Sequence, residues 1–60
     1  MKHIIKSKER GLYFVAIHSY TPMFGKKEYA KKFEHFDEAF RYAMDELFTS
    51  ESAFDIEKIP

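Results

Sequence analysis

Phe36-Asp37-Glu38-Ala39-Phe40-Arg41-Tyr42-Ala43-Met44-Asp45-Glu46-Leu47-Phe48 is the segment whose reading decides the fold. Phe36, Phe40, Ala43, Met44 and Leu47 recur at i, i+4, i+7, i+8 and i+11, one face of a helical period. Glu38, Tyr42, Asp45 and Glu46 fall toward the other side, which predicts an amphipathic helix with an acidic outer face and an exposed Tyr42. Asp37 is the expected N-cap, and Asp37 with Glu38 places negative charge at the positive end of the helix dipole. Thr49-Ser50-Glu51-Ser52 favours a turn and marks the end. A helix of about three turns is marginal alone in water, so its apolar face must be docked.

The stretches on either side supply strands to dock against. His3-Ile4-Ile5 between lysines reads as a first strand, and Gly11 offers the positive φ of a tight hairpin turn. Residues 12–20 read as a second, central strand, apolar at both parities. Tyr13, Val15 and Ile17 compete with Leu12, Phe14 and Ala16 for the helix side, and β-branching favours the first set. Thr21-Pro22-Met23-Phe24-Gly25 reads as the second turn, with Met23 and Phe24 at its tip. Residues 26–36 then alternate as a third strand with Tyr29 and Phe33 inward. Phe54-Asp55-Ile56-Glu57-Lys58-Ile59 alternates again and adds a short fourth strand with Phe54 and Ile56 inward. The expected fold is a single small α+β domain over residues 1–60: a three-stranded antiparallel β-meander covered on one face by one helix, with a short closing strand. The other sheet face is left open.

Sixty residues bury only about 60% of the surface the unfolded chain exposes, so seven Phe and four Tyr carry much of the small core. There is no Cys, hence no disulfide, thiol nucleophile or thiolate metal site. No apolar run approaches a membrane span and no signal-peptide pattern opens the chain, so the expectation is a cytoplasmic protein without a membrane partner. The net charge of zero conceals a split. Residues 1–33 carry eight basic against two acidic side chains, +6, and residues 34–60 carry two against eight, −6. Two oppositely charged layers attract each other, and either could also steer an oppositely charged partner.

Catalytic constellations are missing from the sequence. His3, His18 and His35 lie on separate predicted strands without metal-ligand spacing, Gly11 and Gly25 are isolated, and no Ser sits in a His–acid pattern. The expectation is a non-enzyme with no cofactor and no metal.

Gly11-Leu12-Tyr13-Phe14-Val15, then Tyr20, Gly25-Lys26-Lys27 and a lysine-rich stretch leading to Glu38-Ala39, resembles the βββα arm-binding domain of tyrosine-type phage integrases. That resemblance implies a sheet entering a DNA groove, with Lys26, Lys27, Lys31 and Lys32 on phosphates, in a phage or mobile-element setting. The same region is also similar to HicB-like antitoxin domains, through the Gly-x-Tyr-x-Val strand opening and a helix of the Glu38-Ala39…Ala43…Leu47 type. Two functional readings follow from the residues. The first is a protein-binding module, a regulator or inhibitor of a larger protein that is itself a candidate nucleic-acid binder, using Glu38, Tyr42, Asp45, Glu46, Met23 and Phe24. The alternative is a nucleic-acid-binding sheet using Lys26, Lys27, Lys31 and Lys32 with Phe14 and Tyr20 as stacking aromatics. A homodimer is a further candidate assembly.

Overall fold

The computed structural model describes all 60 residues. Four antiparallel strands form one open sheet: β1 (Lys2–Ser7), β2 (Tyr13–His18), β3 (Thr21–Gly25) and β4 (Phe54–Ile59), in the order β3-β2-β1-β4. The helix α1 (Phe36–Tyr42) lies on one face and continues into a wider turn at Ala43–Leu47. The α+β class and the single covering helix are as expected, and β4 is a full partner of β1, paired from Lys2↔Ile59 to Ser7↔Phe54.

The β1–β2 connection behaves as its sequence predicts. Gly11 has φ of +69°, a conformation that a Cβ disfavours, and its N–H donates to the Ser7 carbonyl at 2.9 Å. The β2–β3 connection does not. The expected turn at residues 21–25 is instead strand β3, because the chain reverses earlier, with His18↔Thr21 closing a two-residue loop of Ser19 and Tyr20. Both loop residues have positive φ, 51° and 65°, the requirement of a type I′ hairpin turn normally met by Asn-Gly. Pro22 fits β3 because this is an edge strand with one side free of ladder hydrogen bonds.

The third strand expected over residues 26–36 is also corrected. Lys27–Tyr29 forms a single 3₁₀ turn, closed by the Tyr29 N–H to the Lys26 carbonyl at 3.0 Å and the Ala30 N–H to the Lys27 carbonyl at 3.1 Å. Residues 31–33 then enter the gap where β2 diverges from β1. The Lys31 N–H donates to the Phe14 carbonyl at 2.9 Å, and His3 and Phe33 exchange two bonds of 2.8 Å. A register shift between Phe14 and Ala16 accompanies this divergence. Phe33 is buried as expected, whereas Tyr29 is exposed.

The core lies between sheet and helix. Ile5, Phe14, Phe33, Ala39, Ala43 and Phe54 form its buried centre. Phe14 faces the helix, so the parity led by Tyr13 is the outward one. The helix is also turned relative to its expected face. Ala39 and Ala43 are fully buried, Phe36 is 54% exposed, and Tyr42 packs inward with its ring 5.4 Å from Phe14 and 5.3 Å from Phe33. At the start His35 occupies the cap position without a side-chain bond. The Asp37 carboxylate accepts from the Glu38 N–H at 3.1 Å, and that of Glu38 reaches back to the Glu34 N–H at 3.2 Å. The far end closes through the Phe48 N–H to the Ala43 carbonyl at 2.8 Å, an i→i+5 bond that admits an extra residue to the turn.

On the opposite face Tyr13 reaches across β1 to β4, its hydroxyl donating to Glu57 Oε2 at 3.0 Å. Lys27 Nζ sits 3.2 Å from Glu57 Oε1, and Lys6 Nζ lies 5.7 Å from the centre of the Tyr13 ring. Ile4, in register with Glu57 beneath this clasp, is fully buried. Desolvation raises the Tyr13 phenol above its ordinary range, with help from Glu57. Desolvation acts on Glu57 too, but Tyr13, Lys27 and Lys6 outweigh it and hold the carboxyl below the usual range.

Replacing the turn by Ser19→Asn with Tyr20→Gly keeps the two left-handed conformations but lowers their cost, offset in part by the freedom glycine adds to the unfolded chain. The double variant gains about 1 kcal/mol, a rise in Tm of about 4–8 °C in a domain of this size; an unchanged or lower Tm contradicts this account. The Glu57 clasp predicts an acid limb. A carboxyl whose folded pKa is depressed contributes stability that is complete above its unfolded value of about 4.3 and disappears as pH falls through the folded value. Urea unfolding at a series of acid pH values therefore shows a shallower acid loss for Glu57→Gln than for the wild type. Superimposable slopes refute the clasp.

Candidate functional site

All three ion pairs cross the charge split. Lys2 pairs with Glu34, Lys8 with Asp55 at 3.7 Å and Lys27 with Glu57 at 3.2 Å, each joining a cation from residues 1–33 to a carboxylate from residues 34–60. The Lys2 ammonium, as hydrogen-bond donor and as charge, holds the Glu34 carboxyl below its ordinary range. These links neutralise Lys2 of β1, Lys8 just after that strand and Lys27 of the 3₁₀ turn, and so define which charges are left free.

The surplus gathers on the outer side of the helix. His35, Asp37, Glu38, Arg41, Tyr42, Asp45 and Glu46 line an open groove of about 530 Å³. Asp37, Glu38, Asp45 and Glu46 have no cation within ion-pair distance, and Arg41 is the one permanent cation in the lining. Helical spacing places Glu38, Arg41 and Asp45 on adjacent turns, and the widened turn carries Asp45 and Glu46. Tyr42 contributes to the lining of the groove while packing on the core, so it serves as wall rather than protruding contact. This concavity can bind positive charge with an aromatic edge beneath it.

The expected protein-binding residues therefore separate. Glu38, Tyr42, Asp45 and Glu46 come together in this groove. Met23 and Phe24 lie on β3. Met23 is 50% exposed, whereas Phe24 packs at the core rim, 6.1 Å from both Phe14 and Phe48, with the Arg10 guanidinium 5.1 Å from its ring centre.

The nucleic-acid set divides too. Lys26, Lys31 and Lys32 are exposed and free of carboxylates, Lys31 resting 5.6 Å from the Phe33 ring centre. Lys27 is committed to Glu57. Phe14 is fully buried and cannot stack on a base, a correction forced by the sheet's parity, whereas Tyr20 is 100% exposed at the hairpin tip. No three His, Asp or Glu side chains converge in a metal-holding arrangement, and no helix is long and apolar enough to cross a membrane.

Sequence reading missed two features. One is the Tyr13–Glu57–Lys27 clasp, whose members come from distant segments and carry no local signal. The other is a smaller apolar cleft beside β4, lined by Phe36, Phe40, Glu51, Phe54, Asp55 and Ile56. The alternation of β4 was its only trace in the sequence, which set Phe36 on the docked face of the helix, whereas the ring is 54% exposed. No family model, no curated protein and no solved structure matches the chain.

Proposed function

We infer that this protein is a small non-enzymatic binding module that presents the acidic face of its helix to a basic surface of a larger protein, and so regulates or inhibits it. One observation carries this reading. The molecule pairs both carboxylates of β4, and Glu34 before the helix, with lysines of the first half of the chain, but leaves Asp37, Glu38, Asp45 and Glu46 unpaired along a single groove. A one-signed face steers an oppositely charged partner and repels the wrong one. A basic nucleic-acid-binding surface has the complementary charge, which suits an inhibitor that occupies such a surface.

The alternative is direct nucleic-acid binding, favoured by the three free lysines and the fully exposed Tyr20. Lysines supply phosphate contacts and an exposed ring supplies a stacking surface. The acidic groove opposes it, because its charge acts over about 10 Å in ordinary salt.

Affinity isolation of the tagged protein, with and without nuclease, separates the two. The protein-binding reading expects a protein retained after nuclease. It also expects reversal of Glu38, Asp45 and Glu46 to Lys to slow association with that protein by at least about ten-fold. Recovery that vanishes with nuclease, and is lost on reversing Lys26, Lys31 and Lys32 to Glu, establishes the alternative instead.

A further inference from the structure

The two edges of the sheet are not equivalent. On the β1–β4 side the register continues one pair beyond Ser7↔Phe54, where the Lys8 N–H donates to the Ala53 carbonyl at 3.1 Å. Antiparallel pairs alternate between those that exchange hydrogen bonds and those that do not. Lys6↔Asp55 and Ile4↔Glu57 are therefore bonded pairs, while Ser7, Ile5 and His3 turn their peptide groups away from β4. Two bonds agree: the Ser7 N–H donates to the Leu12 carbonyl and the His3 N–H to the Phe33 carbonyl, both at 2.8 Å. By the same alternation Phe54, Ile56 and Lys58 direct their N–H and C=O groups outward from the sheet, and no turn, loop or side-chain bond takes them up.

At the β3 edge the alternation gives a different result. His18↔Thr21 is the bonded pair around the two-residue turn, so Pro22, next to it, faces outward where it lacks an N–H. Such a proline blocks strand pairing. β4 has no proline within it and no bulge against β1.

Beside this open edge lies the apolar cleft of about 280 Å³ between α1 and β4. Phe36 and Phe40 stack across it with centroids 6.1 Å apart, and Ile56 and Phe54 contribute from the strand. No residue of β1, β2 or β3 lines it, so it opens at the β4 edge. On the other face of the strand Asp55 is largely exposed, its nearest cation Lys8 at 3.7 Å, and Glu51 adds a second carboxylate to the cleft's rim.

A second copy is a poor occupant. Two-fold antiparallel pairing of β4 with itself, centred on Asp55, Ile56 or Glu57, sets Asp55 or Glu57 opposite an Asp55 or Glu57 of the other copy, and like charges directly opposed are destabilising. The geometry points to β4 as a strand-addition site for an extended segment of another protein that alternates apolar and basic residues. Its backbone pairs with Phe54, Ile56 and Lys58 as a fifth strand. Its apolar side chains enter the Phe36–Phe40–Ile56 cleft, and its basic ones lie beside Asp55. This surface is separate from the acidic groove of the helix and goes beyond the function proposed above.

The probe is a short synthetic peptide alternating leucine and lysine, titrated against the intact protein. Binding is followed by fluorescence anisotropy, and amide exchange is read residue by residue. The expected result is saturable binding that slows exchange at Phe54, Ile56 and Lys58. Lys58→Pro removes an outward N–H without breaking a β1 bond and weakens binding by about ten-fold. Its thermal unfolding is compared with the wild type to show that the fold survives. Asp55→Lys independently weakens the leucine–lysine peptide and gains binding to a leucine–glutamate one. The proposal is overturned by absent protection at the three amides or by undiminished affinity in folded Lys58→Pro. Protection that grows with protein concentration in the absence of peptide assigns the edge to a second copy and overturns it as well. Reversal of Glu38 and Glu46 to Lys leaves the peptide affinity within about two-fold, since distant exposed charges are screened. Loss of binding there, with Asp55→Lys unaffected, places the peptide on the helix and also overturns the proposal.

Discussion

Two alanines set how closely the helix approaches the sheet. Ala39 and Ala43 are both fully buried, and their small side chains let α1 settle against the layer formed by Ile5 and Phe14. Around that line of approach stand the rings that fill the remaining volume: Phe33 and Tyr42 on one side, Phe40, Phe48 and Phe54 on the other. Each buried aromatic removes a large apolar area from water, on the order of 1.5–3 kcal/mol per ring. A larger residue at either alanine would lift the helix and open all of these contacts together. The short helix has little stability of its own, so local and tertiary structure depend on the same contact. The widened turn after Tyr42 belongs to this solution, since its extra residue carries Phe48 round to stack on Phe54 at 5.1 Å.

The same geometry governs the distribution of charge. With the alanine line facing the sheet, Asp37, Glu38, Asp45 and Glu46 are held outward, beyond the reach of the lysines of β1. The Lys2–Glu34 and Lys8–Asp55 pairs are exposed, and such pairs contribute little to stability. Their larger effect is on the surface. Neutralising Lys2, Lys8 and Lys27 leaves a helix face on which four carboxylates outnumber the one cation Arg41, and a separate set of free lysines at positions 26, 31 and 32. A chain with zero net charge thereby retains two local fields.

Much of this was legible in the residues, and the failures have physical reasons. The helix, β1, the body of β2, the positive φ of Gly11 and the inward Phe33, Phe54 and Ile56 follow from periodicity and turn chemistry. The second hairpin did not, because its turn residues Ser19 and Tyr20 lack the Asn-Gly signature, while Thr21-Pro22 and Gly25 imitate a turn inside a strand. That displacement moved the expected third strand onto residues 26–36, of which only 31–33 bond to the sheet. Tyr42 was misplaced because a hydrophobic stripe was weighted by size, whereas the closest approach is made by the smallest residues. The acidic groove was readable from Glu38, Asp45 and Glu46 on one helix face. The clasp of Tyr13, Glu57 and Lys27 was not, since it joins segments up to 44 positions apart.

A sheet of four strands covered by one short helix must leave edges, and the chain treats its two edges differently. At β3 the outward position next to the turn is a proline, which removes a donor at no cost to the β2 ladder. At β4 the backbone is left capable of pairing, and the protection is electrostatic: in the two-fold registers centred on Asp55, Ile56 or Glu57 the strand's carboxylates are set opposite those of its own copy. These devices differ in what they permit. A proline excludes every incoming strand, whereas a carboxylate excludes acidic ones and favours basic ones. Protection by charge is thus also selection by charge, and a strand that must avoid its own copy acquires a preference among other partners without any additional residue.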